Sequence, residues 1–421
     1  MGLRVGSVLL AVCGLTVLGG CGGRSGVSSA RTTGQQEQSS STITQGETSS
    51  TPPESPTTSV IPTSWPLSPG RAVPAPALYA VSFPTDSSGY AIAGGYQSDN
   101  GALAMQLATT RDGGASWRAV GGVLPDANKT LFAGGNVTPH LAFASPSLGY
   151  NWDQEEIDVT ADGGAHWQVL PDPPYMSGPY RIGPVTLVGS SLWVTYAGFT
   201  PGLSPFGDVA SWTPGVGWIN RLNKDVVIHA MTSTSSAVEL LESSTEQPNS
   251  TSESFMYVSA EGTRGWHTSG TLTCPPDSSV VDSLAGTGST FLAECVGSFE
   301  AGWAARSYWL TTDDGATWAM RARDAAQANL KEGAPPSGES GSVTQEGGRF
   351  WVAVTRSTLY SSGDNGFTWQ AAKGLNTEAS AFSGAVTFNG PDGWCAYFGL
   401  GLWRTTDGGS TWEELGQSGP G

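Results

Sequence analysis

Between residue 77 and about residue 415 the chain alternates short apolar runs with turns rich in glycine, aspartate and serine. The first group shows the pattern well, with apolar runs at residues 78–83, 89–95, 102–109 and 117–121. Runs of this length, rich in aliphatic and aromatic residues and bounded by turn residues, predict β-strands. We therefore expect an all-β domain.

A short hairpin pattern recurs along this region. A strand that ends in phenylalanine is followed by a glycine and a second aromatic residue at residues 81–90, 141–150 and 386–394. The same pair of strands is therefore expected three times, which supports a division of the chain into repeats.

A turn signature, here called the box, marks each repeat more clearly. The pattern Ser/Thr-x-Asp-x-Gly-x-x-Trp occurs at residues 110–117, 160–167, 311–318, 362–369 and 405–412, and two degenerate copies without the Asp occur at 211–218 and 259–266. The acids of the complete copies are Asp112, Asp162, Asp313, Asp364 and Asp407. The tryptophans are Trp117, Trp167, Trp218, Trp266, Trp318, Trp369 and Trp412, at intervals of 50, 51, 48, 52, 51 and 43 residues. A period near fifty residues indicates a repeat architecture.

The residue types in the box suit a structural turn. An Asp at the head of a turn accepts hydrogen bonds from backbone N–H groups, and the following Gly adopts the positive φ that the turn requires. The Trp begins the next strand, and burial of its ring stabilises the fold by a few kcal/mol. No box offers more than two acids, far fewer ligands than calcium needs. We therefore expect no metal at the boxes.

The boxes resemble those of the Asp-box, or bacterial neuraminidase (BNR), repeat family. This resemblance covers roughly residues 77–415 and implies a β-propeller of four-stranded antiparallel blades, with each box between the third and fourth strands. Since seven repeats of about fifty residues fill this span, we expect a seven-bladed β-propeller whose first blade packs against the seventh. In that family the boxes lie away from the functional face. Sialidases, xyloglucanases, sortilin-type receptors and photosystem II assembly factors all carry such boxes, and in repeat and length this chain is most similar to the last group.

The N-terminal region predicts export. Residues 1–21 read as a signal peptide whose end, Leu18-Gly19-Gly20-Cys21, resembles the lipobox of bacterial lipoproteins, so Cys21 is the expected lipidation site. The alternative is an ordinary secretory signal.

Residues 22–76 are rich in Ser, Thr and Pro and predict a disordered tether. Residues 77–415 form the propeller, and 416–421 a flexible tail. Trp65 stands in register with the boxes and is expected to dock against the last blade, with an eighth blade as the alternative.

Composition narrows the set of partners and the chemistry. Acidic residues number 36 against 19 Lys and Arg, for a net charge of −17, which disfavours nucleic acid and anionic lipid surfaces as partners. A disulfide between Cys274 and Cys295 is plausible in an oxidising compartment, and Cys395 is expected to be a buried small hydrophobe. No cofactor motif occurs, and no metal or cofactor is expected.

The candidate binding loops are the irregular segments between and within repeats. The aromatic and acidic residues that we expect on them are Phe132, Tyr175, Tyr180, Phe206, Phe299, Glu300 and Trp303. Such side chains on loops suit a surface that binds a protein or a sugar. Simple loop packing is the alternative.

Enzymatic alternatives have weaker support. The run 180–184 (YRIGP) is similar to the Arg-Ile-Pro signature of sialidases, but Gly183 is inserted and the segment follows the second box. Asp153, Glu155 and Glu156 are candidate glycosidase carboxylates, although such acids beside a strand usually form a solvated face. The histidines are scattered, at His140, His166, His229 and His267. No catalytic residue is assigned.

The sequence therefore predicts an exported, lipid-anchored, monomeric propeller that acts as a non-enzymatic binding or assembly scaffold for an envelope protein or an extracellular ligand. The photosystem II assembly role is tied to a basic patch, and this acidic chain has no arginine cluster to match it. A cell-surface protein that binds or hydrolyses carbohydrate is the alternative, and a passive wall-spanning protein is a third.

Overall fold

The computed structural model describes most of the region after residue 64. The described residues are 65–96, 103–124, 140–153, 155–174, 176, 180–198, 206–224, 227–233, 237–243, 253–260, 266–278, 280–297, 305–323, 343–354, 358–375 and 384–416. The regular secondary structure of these residues consists of one short 3-10 turn, Ala75–Ala77, and of β-strands. Among them no helix has the length and apolarity that a membrane span requires.

The strands pair with their neighbours in sequence into four-stranded antiparallel sheets. Sheet 1 comprises β1 (Leu78–Ser82), β2 (Gly89–Tyr96), β3 (Leu103–Thr110) and β4 (Arg118–Val123). Sheet 2 comprises β5 (His140–Phe143), β6 (Gly149–Trp152), β7 (Ile157–Thr160) and β8 (Gln168–Val169). Sheet 3 comprises β9 (Tyr180–Val188), β10 (Ser191–Gly198), β11 (Phe206–Thr213) and β12 (Gly217–Lys224). Sheet 4 comprises β13 (Val227–Ser233), β14 (Ala237–Ser243), β15 (Glu253–Ala260) and β16 (His267–Thr273).

The same meander continues to the end of the described region. Sheet 5 comprises β17 (Val280–Thr287), β18 (Thr290–Val296), β19 (Arg306–Thr311) and β20 (Ala319–Arg323). Sheet 6 comprises β21 (Thr344–Glu346), β22 (Arg349–Ala353), β23 (Leu359–Ser362) and β24 (Gln370–Ala371). Sheet 7 comprises β25 (Gly384–Asn389), β26 (Asp392–Tyr397), β27 (Gly401–Thr405) and β28 (Glu413–Leu415). The expected all-β propeller with four-stranded antiparallel blades is confirmed, and the described residues hold seven such sheets.

The recurring hairpin pattern has a steric explanation. Phe83 at the end of the first strand lies over Gly89, where a Cβ atom would come within 2.3 Å of the Phe83 ring. Phe143 and Gly149 repeat this contact, with a corresponding distance of 2.4 Å. Only glycine leaves room for the ring, so the pattern seen in the sequence reflects a packing requirement.

Aromatic stacking joins neighbouring sheets through the same phenylalanines. The ring of Phe143 stacks on Tyr90 of sheet 1 at 3.6 Å and meets Trp167 of its own box edge-on. Phe83 likewise stacks on Trp394 of sheet 7 at 3.6 Å and meets Trp117 edge-on. The box tryptophans therefore pack beside rings that link one sheet to the next, which stabilises the interfaces between sheets.

The five complete boxes have one hydrogen-bond geometry, shown here for residues 110–117. The Thr110 hydroxyl donates to Asp112 Oδ1 at 2.6 Å, and the N–H of Gly114 donates to Thr110 Oγ1 at 3.0 Å. Asp112 Oδ1 also accepts the N–H of Ser116 at 2.9 Å. These bonds satisfy the turn within itself, as expected for a structural motif.

One feature of the boxes departs from the expected glycine chemistry. In every complete copy the residue between the Asp and the Gly of the pattern also has positive φ. Asp314 and Asn365 occupy this position in two boxes, with φ values of 54° and 60°. Asp and Asn tolerate this conformation better than other non-glycine residues.

Sheets 1 and 7 contact each other directly. The indole N–H of Trp394 donates to the carbonyl oxygen of Gly113 at 2.8 Å, and the side-chain amide of Asn389 donates to Asp86 at 3.1 Å. Since Trp394 also stacks on Phe83, apolar and polar contacts join the first and last sheets, as the sequence led us to expect.

The segment before β1 corrects the expected end of the tether. We expected a disordered tether through residue 76 in which Trp65 docks against the last blade, whereas all of residues 65–77 pack against the folded body. Trp65, Leu67 and Val73 are buried in one apolar cluster with residues of sheets 1 and 7. The backbone of this segment bonds to the outer strand of sheet 1, for example through the N–H of Gly70 and the carbonyl of Ala119 at 2.8 Å. Burial of three large apolar side chains offsets the loss of chain entropy, which the polar composition of the segment had obscured.

The cysteines divide as the sequence suggested. Cys274 and Cys295 form a disulfide with a sulfur–sulfur distance of 1.99 Å, and Cys395 is a buried free thiol. Burial raises the pKa of the Cys395 thiol, which keeps it protonated and unreactive.

Candidate binding pocket between sheets 2 and 3

A small pocket lies where sheet 2 meets sheet 3. Its volume is about 60 Å³. The lining residues are Glu155, Glu156, Ile157, Val169, Leu170, Pro171, Asp172, Tyr180, Ile182, Tyr196 and Trp218. The pocket therefore combines three carboxylates and three aromatic rings with an apolar remainder.

A tight turn places the two glutamates. Asp153 directly follows β6. Its Oδ1 accepts hydrogen bonds from the backbone N–H groups of Glu155 at 2.6 Å and of Glu156 at 2.8 Å. The N–H of Asp153 in turn donates to the carbonyl oxygen of Glu156 at 3.1 Å. An aspartate that bonds the backbone two and three residues ahead is a common turn former. Asp153 thus has a structural role, while Glu155 and Glu156 face the pocket.

The link from sheet 2 to sheet 3 supplies the third carboxylate. Asp172 follows β8, and its Oδ1 accepts a short hydrogen bond from the hydroxyl of Tyr180, the first residue of β9. Burial, and then the bond to Asp172 and its charge, raise the pKa of Tyr180. The Tyr180 hydroxyl therefore stays protonated and remains a donor to the carboxylate.

Three aromatic rings form one wall of the pocket. Tyr180 and Tyr196 meet edge-on with centroids 5.1 Å apart, and Tyr196 meets Trp218 in the same way at 6.0 Å. The indole N–H of Trp218 donates to the carbonyl oxygen of Pro171 at 2.6 Å. This bond ties the wall to the segment that carries Asp172, so the two sheets hold the wall in place.

The degenerate box explains why Trp218 is available for this role. Trp218 ends the copy that has Thr213 in place of the acid, and its indole bonds back to sheet 2. Trp266, in the other degenerate copy, also bonds back to the preceding sheet, with its N–H donating to the Arg221 carbonyl at 2.9 Å. In both degenerate copies the tryptophan contacts its neighbour by a hydrogen bond rather than through an acid-capped turn.

The sequence-based candidates fall into three groups. Tyr180 lines the pocket, together with Glu155 and Glu156, which the sequence had also singled out, and with Asp172. Phe206 begins β11, and only its backbone is described. The remaining candidates lie outside the described residues: Cys21, Phe132, Tyr175, Phe299, Glu300 and Trp303.

Two pocket residues escaped the sequence analysis. The sequence analysis does not single out Tyr196, and it treats Trp218 as a scaffold residue, whereas both line the pocket. Only the missing acid in the box of Trp218 could have pointed to this role from the sequence, because a tryptophan whose turn is not capped by an Asp can more readily form a different contact.

Two of the described arginines, Arg306 and Arg221, are not free to take part in a sialidase carboxylate clamp. Arg306 is buried on β19 and pairs with Glu294, with Nη1 and Oε1 2.5 Å apart, and the hydroxyls of Ser283 and Tyr308 also donate to Glu294. Arg221 donates to Ser211 Oγ at 2.8 Å. A clamp needs guanidinium groups that converge on open space. These two arginines make internal contacts instead.

Histidine and acid side chains form no metal centre in the part of the chain that the structure describes. His166 lies on the surface with its side chain 88% exposed, and its Nδ1 is 2.6 Å from Asp162 Oδ2 within the second box. The box acids are thus engaged by their own turns.

Comparison with known proteins supports the fold and leaves function open. No protein-family model and no curated protein sequence matches the chain. Among solved structures, it is similar to a puromycin-hydrolyzing peptidase of Mycobacterium tuberculosis, with 11% identity and a TM-score of 0.50 over 84% of this chain and 56% of that one. It is also similar to YCF48 bound to a D1 peptide, with 17% identity and a TM-score of 0.47 over 82% and 99% of the two chains. At these identities the similarity concerns the fold and does not extend to activity or partner.

Proposed function

We propose that this protein is an exported, lipid-anchored propeller that binds an envelope or extracellular protein without catalysing a reaction. The observation that carries the proposal is the size of the pocket between sheets 2 and 3. Pockets for small-molecule ligands usually measure roughly 300–1,000 Å³. At about 60 Å³ this one accommodates the end of a side chain and is too small to enclose a sugar ring.

The surroundings of the pocket favour a protein partner as well. Val169 lines the pocket and is 54% exposed, so an apolar surface continues outward from the cavity. Aromatic rings beside a small cavity form the kind of anchor point on which protein interfaces depend. Among the solved structures similar in fold, one holds a bound peptide, which agrees with this use of the fold.

In this proposal the seven sheets form one closed ring of seven blades on a tether that starts at Cys21. Direct packing of sheet 1 on sheet 7 supports closure. The lipid anchor rests on the sequence alone, since Cys21 lies outside the described residues. Metabolic labelling with an alkyne analogue of a fatty acid tests it, and Cys21→Ser is expected to abolish the label while the wild type retains it.

Site-specific photocrosslinking tests the binding function. A photoreactive benzoylphenylalanine at position 169, on the rim, is compared in the native cell with the same group at position 216. Val216 lies in the turn between β11 and β12, is 66% exposed and does not line the pocket. We expect one envelope or extracellular protein to be crosslinked from position 169 and not from position 216. Identical crosslinks from both positions, or none from position 169, would contradict the proposal.

The runner-up function is a protein that binds or hydrolyses carbohydrate. The juxtaposition of carboxylates and aromatic rings in one pocket favours it, because sugar sites use both. A glycan array with a hydrolysis readout separates the two functions. If the wild type cleaves a glycan and Glu155→Ala or Glu156→Ala abolishes this cleavage, the protein is an enzyme and the proposed scaffold function is wrong.

A further inference from the structure

The box of sheet 6 carries an exposed aromatic ring that its turn does not need. Phe367 is the sixth residue of this box and is 50% exposed. At the same position the other complete boxes have small residues: Ala115, Ala165, Ala316 and Ser410. The hydrogen bonds of the turn are the usual ones, with the N–H of Thr368 donating to Asp364 Oδ1 at 2.9 Å. The turn itself therefore does not explain why a phenylalanine stands here.

An arginine of the neighbouring sheet stacks on this ring. The Cζ atom of Arg321 lies 4.5 Å from the centroid of the Phe367 ring. A Cβ atom on Gly366 would be 3.5 Å from the Cβ atom of Arg321, so the stem of the arginine packs against the turn. Arg321 is the extra residue of a bulge in β20, where the register to β19 shifts between Tyr308 and Trp309. Bulges redirect side chains, and this one directs the guanidinium towards sheet 6.

A second arginine lies over the other end of the same turn. Arg349 is the first residue of β22, and a Cβ atom on Gly363 would be 3.2 Å from its Cζ atom. Its Nη1 donates a long hydrogen bond to Ser361 Oγ at 3.3 Å. Glu346 is opposite Arg349 in the hairpin, but the two form no ion pair. Two guanidinium groups therefore flank the turn that carries Phe367.

Within the described ranges, no carboxylate neutralises either of these two guanidinium groups. The ion pairs of the described arginines involve Arg306, Arg323 and Arg404 instead. The Nε atom of Arg321 is buried and has no acceptor among the described residues, so its two terminal nitrogens are the donors that remain for a ligand. Stacking holds the guanidinium plane in place, and a planar pair of N–H donors matches the two oxygens of a carboxylate.

We infer that the turn of residues 362–369, together with Arg321 and Arg349, binds a protein segment that presents a carboxylate side chain beside an apolar one. The carboxylate accepts hydrogen bonds from the guanidinium groups, and the apolar side chain packs on the exposed ring of Phe367. Arginine and aromatic residues are enriched at the centres of protein interfaces.

The charge of the chain favours a single carboxylate over an extended anionic surface. A net charge of −17 repels nucleic acid and anionic membranes, which interact with the whole protein. A carboxylate in contact with a guanidinium interacts mainly with that group, because salt screens the more distant charges. This surface belongs to sheets 5 and 6 and is separate from the pocket between sheets 2 and 3, so the inference does not depend on the proposed function.

Capped peptides test the inference on the purified full chain. The probes are acetyl-Gly-Leu-Glu-Leu-Gly-amide and its glutamine counterpart, which keeps the shape and removes the charge. The chain is labelled with 4-fluorophenylalanine, and the fluorine resonance of Phe367 is assigned by its loss in Phe367→Leu. We expect the glutamate peptide to shift this resonance saturably, with an affinity about tenfold higher than that of the glutamine peptide.

A matched pair of double variants separates the two guanidinium groups from the overall charge. Arg321→Gln/Arg349→Gln removes both groups at the turn. Arg111→Gln/Arg323→Gln removes the same charge from the box of sheet 1 and from an arginine that already pairs with Asp277. We expect about a tenfold loss of affinity for the glutamate peptide in the first variant and less than about a twofold change in the second. Circular dichroism and thermal unfolding show whether both variants are folded.

The outcomes keep this inference apart from the proposed function. Equal affinity for the two peptides, or an equal loss in both double variants, would overturn it. A Phe367 resonance that shifts with vesicles of phosphatidylglycerol and not with the glutamate peptide would also overturn it, because the ligand would then be a phosphate surface. If the peptide test fails while position 169 still crosslinks a protein, only the inference is wrong. If the peptide test succeeds and no protein is crosslinked from position 169, the inference stands and the proposed function fails.

Discussion

Glu239 is the most unusual buried group among the described residues. It lies on β14, is 1% exposed, and one of its carboxylate oxygens has no hydrogen-bond partner within the described part of the chain. It pairs with Val258 at a position where other sheets carry rings, such as Tyr90 and Trp351. A carboxyl group therefore occupies an aromatic position at the interface with the next sheet.

Burial, and to a smaller extent the charge of Asp314, raise the pKa of Glu239 to about 8. Asp314 belongs to the box of sheet 5, so the two acids face each other across the interface between sheets 4 and 5. In the folded protein Glu239 is thus protonated at neutral pH, while in the unfolded chain it is ionised above about pH 4.5.

The sign of the pH effect follows from proton binding. Between the unfolded and the folded pKa the folded chain binds one more proton than the unfolded chain, so the free energy of unfolding falls as pH rises. On folding, the pKa of Glu239 rises from 4.5 to about 8, and a difference of one in pKa corresponds to about 1.4 kcal/mol. The free energy of unfolding should therefore fall by about 3 to 5 kcal/mol between these two pH values.

The variant Glu239→Gln isolates this effect, since glutamine has nearly the shape of protonated glutamate and does not titrate. We expect the variant to differ little from the wild type near pH 5, and to be more stable by about 3 to 5 kcal/mol near pH 8.5. Urea unfolding followed by circular dichroism measures the difference at each pH. Glu413→Gln, an exposed position on β28, is the control and should show no such trend.

A stability difference between Glu239→Gln and the wild type that is the same at both pH values would refute the reasoning. It would mean that Glu239 is ionised in the folded protein or finds a partner that stabilises the charge. The box acids cannot produce the expected trend, because their pKa values are lowered and their effect lies on the acid side.

Four further predictions concern single features. Trp65→Ala removes a buried ring from the cluster between sheets 1 and 7 and should reduce the free energy of unfolding by about 3 to 5 kcal/mol in urea titrations. Replacement of Cys274 and Cys295 by serine should cost about 3 kcal/mol in the same assay, because the disulfide closes a loop with a sequence separation of 21. The backbone N–H of His166 is the main cause that lowers the pKa of Asp162 to about 2. The ionised Asp162 carboxylate therefore stabilises the fold above the ordinary pKa of 3.8, and this contribution is lost as pH falls towards 2. The variant Asp162→Asn should show a smaller loss of stability between these two pH values. Cys395 should not react with a thiol reagent until the protein unfolds, with Cys395→Ser as the blank.

Local chemistry made the repeats predictable. The box needs a hydroxyl, an acid, a residue that tolerates positive φ and a tryptophan at fixed offsets, so its geometry can be read from eight consecutive residues. The Phe–Gly hairpin is also a local contact, between residues 83 and 89 for example. These signals repeat with a constant period, and a period implies a repeated structural unit.

The sequence was less informative where stability depends on distant partners. The tether was expected to end at residue 76, because Ser and Pro dominate its composition. Trp65 packs with residues of the first and last sheets, among them Trp394, as its register with the boxes led us to expect. Val73, which no sequence signal marked, is buried in the same cluster. Composition measures how much apolar surface a segment carries, but not whether a complementary surface exists elsewhere in the fold.

The amino-acid sequence by itself thus determined the all-β class, the four-stranded unit, the turn that closes each unit and the acidic character of the whole. The tertiary structure alone decided that Glu155, Asp172 and Trp218 share one pocket, and that Glu239 faces Asp314. The physical reason is the range of the interactions. A turn satisfies its hydrogen bonds within a few residues, whereas a pocket or a buried charge is set by how two sheets, folded from separate stretches of chain, pack on each other.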